Sequence, residues 1–136
     1  MIKLTVVYNL PPGADHEEFI KWRTTTHQKS NMSLPGVIKS DFYDIKRAWQ
    51  RDEAPYRYMT EAYFPDIETF EEAFFDPDYQ AGLAKSLERI ADPLFLISEE
   101  IVSESVSYTH LTLPTNRVAG GWGGGGGGGV GGGGGG

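Results

Sequence analysis

Apolar and polar residues alternate along the first ten positions. Ile2, Leu4, Val6 and Tyr8 fall on one side, and Lys3, Thr5 and Asn9 on the other. A period of two with β-branched residues predicts a half-buried strand, which Pro11-Pro12-Gly13 ends. Asp15 and Glu18 stand three apart before an apolar run, the spacing of a helix-capping box. Phe19, Ile20, Arg23, Thr26, His27 and Ser30 then recur at helical spacing until Leu34-Pro35-Gly36 turns the chain. Residues 37–49, rich in β-branched and aromatic side chains, predict a second strand. Residues 56–64 predict a third. Tyr58, Thr60, Ala62 and Phe64 share one of its faces, and Arg57, Met59, Glu61 and Tyr63 the other. Asp66 and Asp76, the latter followed by Pro77, are N-caps of two further helical stretches. The second of these carries Tyr79, Leu83, Leu87 and Ile90, and Asp92-Pro93 is its expected end. Residues 94–102 predict the last strand.

The resulting order is β-α-β-β-α-β. It specifies an α+β, ferredoxin-like fold: a four-stranded antiparallel sheet with its helices on one face. The other face is left uncovered and mixes apolar with charged residues. Pairing two such sheets in a homodimer would bury it, which gives a dimeric α/β barrel.

Composition divides the chain. Of 18 Gly, only Gly13, Gly36 and Gly82 precede residue 105; the rest lie between Gly120 and Gly136. All 19 Asp and Glu, and all Lys and Arg but Arg117, also precede it, so that part carries a net charge of −8. A Gly run buries no apolar surface and has the largest backbone entropy to lose on ordering. The expected organisation is a domain over residues 1–104 and a disordered, non-native tail over 105–136. The stretch Val106 to Thr115 resembles, in frame, the translation of a Nextera-type sequencing adapter, and the Gly run after it resembles poly-G read-through. His110, Arg117 and Trp122 are therefore left out of the functional reading.

Charge and composition narrow the function classes. The acidic balance disfavours a nucleic-acid surface, which needs Lys and Arg to neutralise phosphates. No run of eighteen apolar residues predicts a membrane span, and Met1 to Thr5 do not begin a secretory leader. Without Cys there is neither a disulfide framework nor a thiolate metal site. His16 and His27 stand about 16 Å apart by helix rise and cannot share an ion. The expectation is a cytoplasmic domain with no metal and no cofactor.

Several of these features together resemble the EthD-type dimeric α/β-barrel family. They are the element order, the acidic helix start, His27 followed by six residues and Leu34-Pro35-Gly36, the strand Tyr58 to Phe64, and Asp76-Pro77-Asp78-Tyr79-Gln80. The resemblance covers nearly all of residues 1–104. It implies a homodimer and a small hydrophobic or aromatic ligand. It also implies one of several cofactor-free activities: monooxygenation, isomerisation, or cyclisation and dehydration of polyketide-like molecules. A non-catalytic binding or stress-associated barrel of the same fold is the alternative. The family often places an aromatic residue four positions before the helix His and a Pro two after it. Here Trp22 precedes His27 by five, position 29 is Lys29, and Arg23-Thr24-Thr25-Thr26 lies between.

The candidate chemistry centres on His27, whose imidazole both accepts and donates protons near neutrality. Its place toward a helix C-terminus favours the protonated form. The competing reading is a histidine packed on the sheet and bonded to a backbone carbonyl. Arg23, one turn earlier, is a candidate for binding a carboxylate or enolate, against the plainer expectation of a pair with Glu61 or an exposed acid. Tyr43 is the other candidate for polarising a carbonyl. Tyr8, Met59, Glu61 and Tyr63 complete the expected ligand-contacting set.

Overall fold

A computed structural model describes residues 1–106. The tail assigned to residues 105–136 lies, from residue 107 onward, outside the described residues. The elements are β1 (Ile2–Asn9), α1 (His16–Trp22), a π-helical turn (Arg23–His27), α2 (Gln28–Met32), β2 (Lys39–Asp44), β3 (Tyr58–Phe64), α3 (Ile67–Phe74), α4 (Pro77–Leu87) and β4 (Ala91–Glu99). The strands form one antiparallel sheet in the order β2-β3-β1-β4. The ferredoxin-like α+β fold expected from the sequence is the fold observed.

The alternation of β1 sorts its side chains as expected. Ile2, Leu4, Val6 and Tyr8 are buried, and join Tyr58, Ala62 and Phe64 of β3, Phe19 of α1, and Phe70 and Ala73 of α3 in the core. The register places Val6 opposite Thr60 and Phe95, and Tyr8 opposite Tyr58. Tyr58 and Phe70 are fully buried, each removing the area of a large aromatic side chain from water. The Tyr58 hydroxyl meets the His16 Nδ1 at 2.7 Å, which gives His16 a structural partner inside this layer.

The helix starts follow the caps. Asp15, Asp66 and Asp76 accept the backbone N–H of Glu18, Thr69 and Tyr79 at 3.1, 2.8 and 3.0 Å. The capping box is only half made, because the Glu18 carboxylate takes Arg89 at 3.2 Å instead. Gly36 has φ of +83°, and a Cβ there would run into the Thr69 side chain, so the turn into β2 requires glycine.

Three strands differ in their limits from the sequence reading. β2 is shorter than residues 37–49, and Trp49 is 86% exposed, because hydrophobic residues beyond Asp44 leave the sheet for the connection to β3. β3 begins at Tyr58 rather than 56, although Ile45 N–H still reaches the Arg57 carbonyl at 2.8 Å. β4 begins at Ala91, so Asp92 and Pro93 lie inside it rather than ending a helix. A Pro is tolerated there because β4 is an edge strand and its register with β1 shifts between Val7 and Asn9.

Candidate functional site

The first helix is not regular. Five residues, Arg23 to His27, form a π turn between α1 and α2. The Thr24 and Thr25 hydroxyls donate to the carbonyls of Ile20 and Lys21 at 2.7 and 2.6 Å, bonds made four residues back along the chain. A π turn accommodates one residue more than an α turn. It brings Trp22 and His27, five positions apart, into a stack with centroids 4.6 Å apart and planes at 25°. The π turn thus accommodates the five-residue spacing of Trp22 and His27.

Arg23 and His27 line a cavity between the sheet and the helices, with Tyr8, Thr60 and Asn31. Leu4, Val6, Ala62 and Phe95 give it an apolar floor. Tyr79, Leu83, Leu87 and Ile90, the regular stripe of the last helical segment, also line it. No residue of α4 is buried, so this stripe covers the cavity more than it fills the core.

Arg23 is 2% exposed. It donates to Thr60 Oγ1 from Nε at 3.4 Å and from Nη2 at 3.2 Å, and to Gln28 Oε1 from Nη1 at 2.6 Å. The Phe42 ring lies 4.7 Å away. Gln28 is held in turn by its Nε2, which donates to the Ser40 carbonyl at 3.1 Å. The Tyr8 hydroxyl shares Thr60 Oγ1 at 3.0 Å. The expected Arg23–Glu61 pair does not form. Thr60 and Glu61 point to opposite faces of β3, and Glu61 takes Lys3 at 3.1 Å on the far side. Among the described residues no carboxylate pairs with Arg23.

His27 is half-buried, and its pKa is lowered to about 4 by burial first and then by the Arg23 and Arg89 charges. This reverses the expectation that a helix C-terminus would favour the protonated ring. A dipole of about half a charge is outweighed by desolvation and two guanidinium groups. The imidazole is neutral at pH 7. Among the described residues the ring makes no hydrogen bond, so the backbone bond of the plainer reading is not made either. Burial also pushes the Tyr8 and Tyr79 hydroxyls above the usual phenol value.

The expected site residues therefore divide. Tyr8, Arg23 and His27 meet in the covered cavity. Tyr43 does not join them: Phe42 points to the helix side, so its neighbour lies on the open face, 42% exposed, with its hydroxyl on Asp41 at 3.3 Å. Met59, Glu61 and Tyr63 lie on that same open face, where the Tyr63 hydroxyl donates to Glu61 at 3.2 Å. Sequence reasoning passed over Gln28, Asn31, Thr60 and Tyr79. Three of these are neutral polar residues, and Tyr79 was read as part of an apolar stripe.

The family model described as REDY-like protein HapK matches residues 2–101. HapK from Hahella chejuensis is 23% identical over 79% of this chain and 99% of its own, with a TM-score of 0.60. An ethyl tert-butyl ether D (EthD) family protein from Bacillus halodurans is 22% identical over 74% of this chain and 99% of its own, with a TM-score of 0.60. SnoaB from Streptomyces nogalater, a cofactor-independent oxygenase, is 15% identical over 75% of this chain and 94% of its own, with a TM-score of 0.55. No curated protein matches the chain by sequence. These structures share the fold, the EthD-type ferredoxin-like arrangement that the sequence resembles, and the family match spans the whole sheet with its helices: the chain belongs to the REDY-like HapK family.

Proposed function

We propose that the covered cavity binds a small aromatic or polyketide-like molecule with an acidic O–H or C–H group, and that His27 moves its proton without a cofactor. The observation that carries this reading is a neutral imidazole beside a buried guanidinium in an apolar cavity. The ligand's proton passes to His27, and the electron pair left on the ligand is spread onto an oxygen facing Arg23. That developing charge offsets the Arg23 field, which otherwise depresses the His27 pKa, so base strength rises as the reaction proceeds. Tyr8 holds Thr60 and through it the Arg23 fork. The likeness to SnoaB, a cofactor-independent oxygenase, supports cofactor-free chemistry in this fold.

We further propose that the chain is a homodimer joined through the open sheet face. Tyr43, Leu94 and Leu96 are each more than 40% exposed there. In that arrangement Met59, Glu61 and Tyr63 serve the interface rather than the ligand. Leu96→Glu should give a monomer at tens of micromolar by light scattering, where the wild-type chain gives a dimer. A wild-type monomer would end this assignment.

Deuterium exchange at the central CH2 of benzoylacetone, followed by NMR in D2O, tests the chemistry without a known substrate. The protein should accelerate exchange, and His27→Ala should remove about 10²–10⁴-fold of that acceleration with an unchanged unfolding midpoint. A destabilised His27→Ala protein with wild-type exchange would overturn the assignment. Binding of the diketone without acceleration would make the cavity a binding site only.

A further inference from the structure

Every partner of the Arg23 guanidinium is neutral: Thr60 Oγ1, Gln28 Oε1 and the face of Phe42. A cation taken this far out of water is destabilising unless a countercharge accompanies it. The closest contact is the one to Gln28, at 2.6 Å, and the chemistry of that residue is specified on both sides. Its oxygen must face the guanidinium, because its nitrogen donates to the Ser40 carbonyl at 3.1 Å. A carboxylate at this position would neutralise Arg23 but would set an oxygen against the Ser40 carbonyl. The amide thus fixes the fork and leaves its charge intact. A second polar group stands in the same wall. Asn31 is 7% exposed and lines the cavity, and among the described residues its side-chain amide makes no hydrogen bond. The apolar walls supply a surface for a ring, and the polar wall supplies one unmatched positive charge and one free amide.

We propose that this cavity selects an aromatic ligand carrying one negatively charged oxygen, as a carboxylate or an ionised hydroxyl, and that Gln28 is the positioning residue that sets this selectivity by holding Arg23 without cancelling its charge. The inference rests on the reading of the cavity as a site for a small aromatic molecule, and adds the charge that the molecule bears, which for a reacting molecule is the charge left on its oxygen once His27 has taken the proton. Asn31 donates to, or accepts from, a second polar atom of the same ligand.

The test compares benzoate with benzamide, which has nearly the same shape and no charge, and with acetate, which has the charge and no ring. Binding is read from backbone amide shifts of residues lining the cavity. The wild-type protein should bind benzoate at least about tenfold more tightly than either of the other two. Gln28→Glu should lose that factor for benzoate and keep benzamide within about twofold, and Gln28→Met, which leaves the charge but not the hold on the fork, should retain a reduced preference for benzoate. A readout independent of any ligand accompanies this. The charges facing His27 are Arg23 and Arg89, the latter paired with Glu18. A carboxylate introduced by Gln28→Glu should raise the His27 pKa, and Gln28→Met should not. Equal affinity of the wild-type protein for benzoate and benzamide would overturn the charge selectivity and leave the aromatic site standing. Acetate equal to benzoate would show an anion site without ring recognition. Shifts with none of the three would remove the aromatic-site reading and this inference with it. The wild-type comparison decides the matter even where Gln28→Glu does not fold. A Gln28→Glu protein that still prefers benzoate would remove Gln28 from the role.

Discussion

On the open face of the sheet, Lys3 pairs with Glu61 at 3.1 Å and Lys39 with Asp41 at 3.4 Å. On the covered face, lined by the residues one out of phase along the same strands, Arg23 has only neutral partners, and burial with the Arg23 and Arg89 charges lowers the His27 pKa to about 4. In the single chain these pairs are partly exposed, so each contributes little to stability, and their arrangement is free to serve recognition between surfaces. The covered face has no such screening, and an unmatched charge there acts strongly on anything that enters. The contrast shows where chemistry is to be sought in this fold. The face richer in charged residues is electrostatically balanced, and the greasier face is not.

The largest test of the contrast is packing. Tyr58 and Met59 are neighbours on β3 that point to opposite faces. Tyr58→Ala should cost about 3–5 kcal/mol in urea unfolding, from the cavity left in the core and the loss of the His16 contact. Met59→Ala should cost less than about 1 kcal/mol at concentrations where the chain is monomeric. Similar losses at both positions would mean that the faces are not as different as described.

The next test is pH. In the unfolded chain His27 titrates near 6.5, and in the folded protein at about 4. Between these values the unfolded state binds the extra proton. The folded state is therefore favoured fully above pH 6.5 and loses stability as pH falls toward 4. Allowing for the partial exposure of the ring, the loss should be about 1–3 kcal/mol. His27→Gln should remove this part of the pH dependence, measured as the difference between the two proteins' urea-unfolding curves from pH 7 to 4.5. Identical pH profiles would show that His27 is not held neutral.

Smaller effects separate the two kinds of cation. Arg23→Met should raise stability by about 1 kcal/mol, because a buried charge without a countercharge is replaced by an apolar chain of similar length. Lys3→Met on the open face should change stability by less than about 0.5 kcal/mol. A marked loss with Arg23→Met would mean that its hydrogen bonds to Thr60 and Gln28 outweigh its desolvation.

Most of the fold was legible because the signals are local. The period-two pattern of β1 and the three Asp caps act within a few residues of themselves. The strand limits at Asp44 and Ala91 were not legible, because apolar composition continues past Asp44, and because an edge strand tolerates Pro93. The site was legible in part. The phase of β1 put Tyr8 on the covered face, where it lies, and helical spacing joined Arg23 to His27. Tyr43 was misplaced because the register of β2 against β3, which decides its face, is a tertiary property. Gln28 and Asn31 were passed over because a neutral amide on a helix carries no signal until its partners are known. The π turn left only a trace, the consecutive threonines whose hydroxyls bond the carbonyls of Ile20 and Lys21.

The central claim is that a neutral His27 lies in the field of an unmatched Arg23. An NMR titration of the His27 ring, in the wild-type protein and in Arg23→Met, tests it directly. The account predicts a pKa of about 4 in the wild type and a higher value once the Arg23 charge is removed. A wild-type value at or above the ordinary 6.5, unmoved by Arg23→Met, would contradict it.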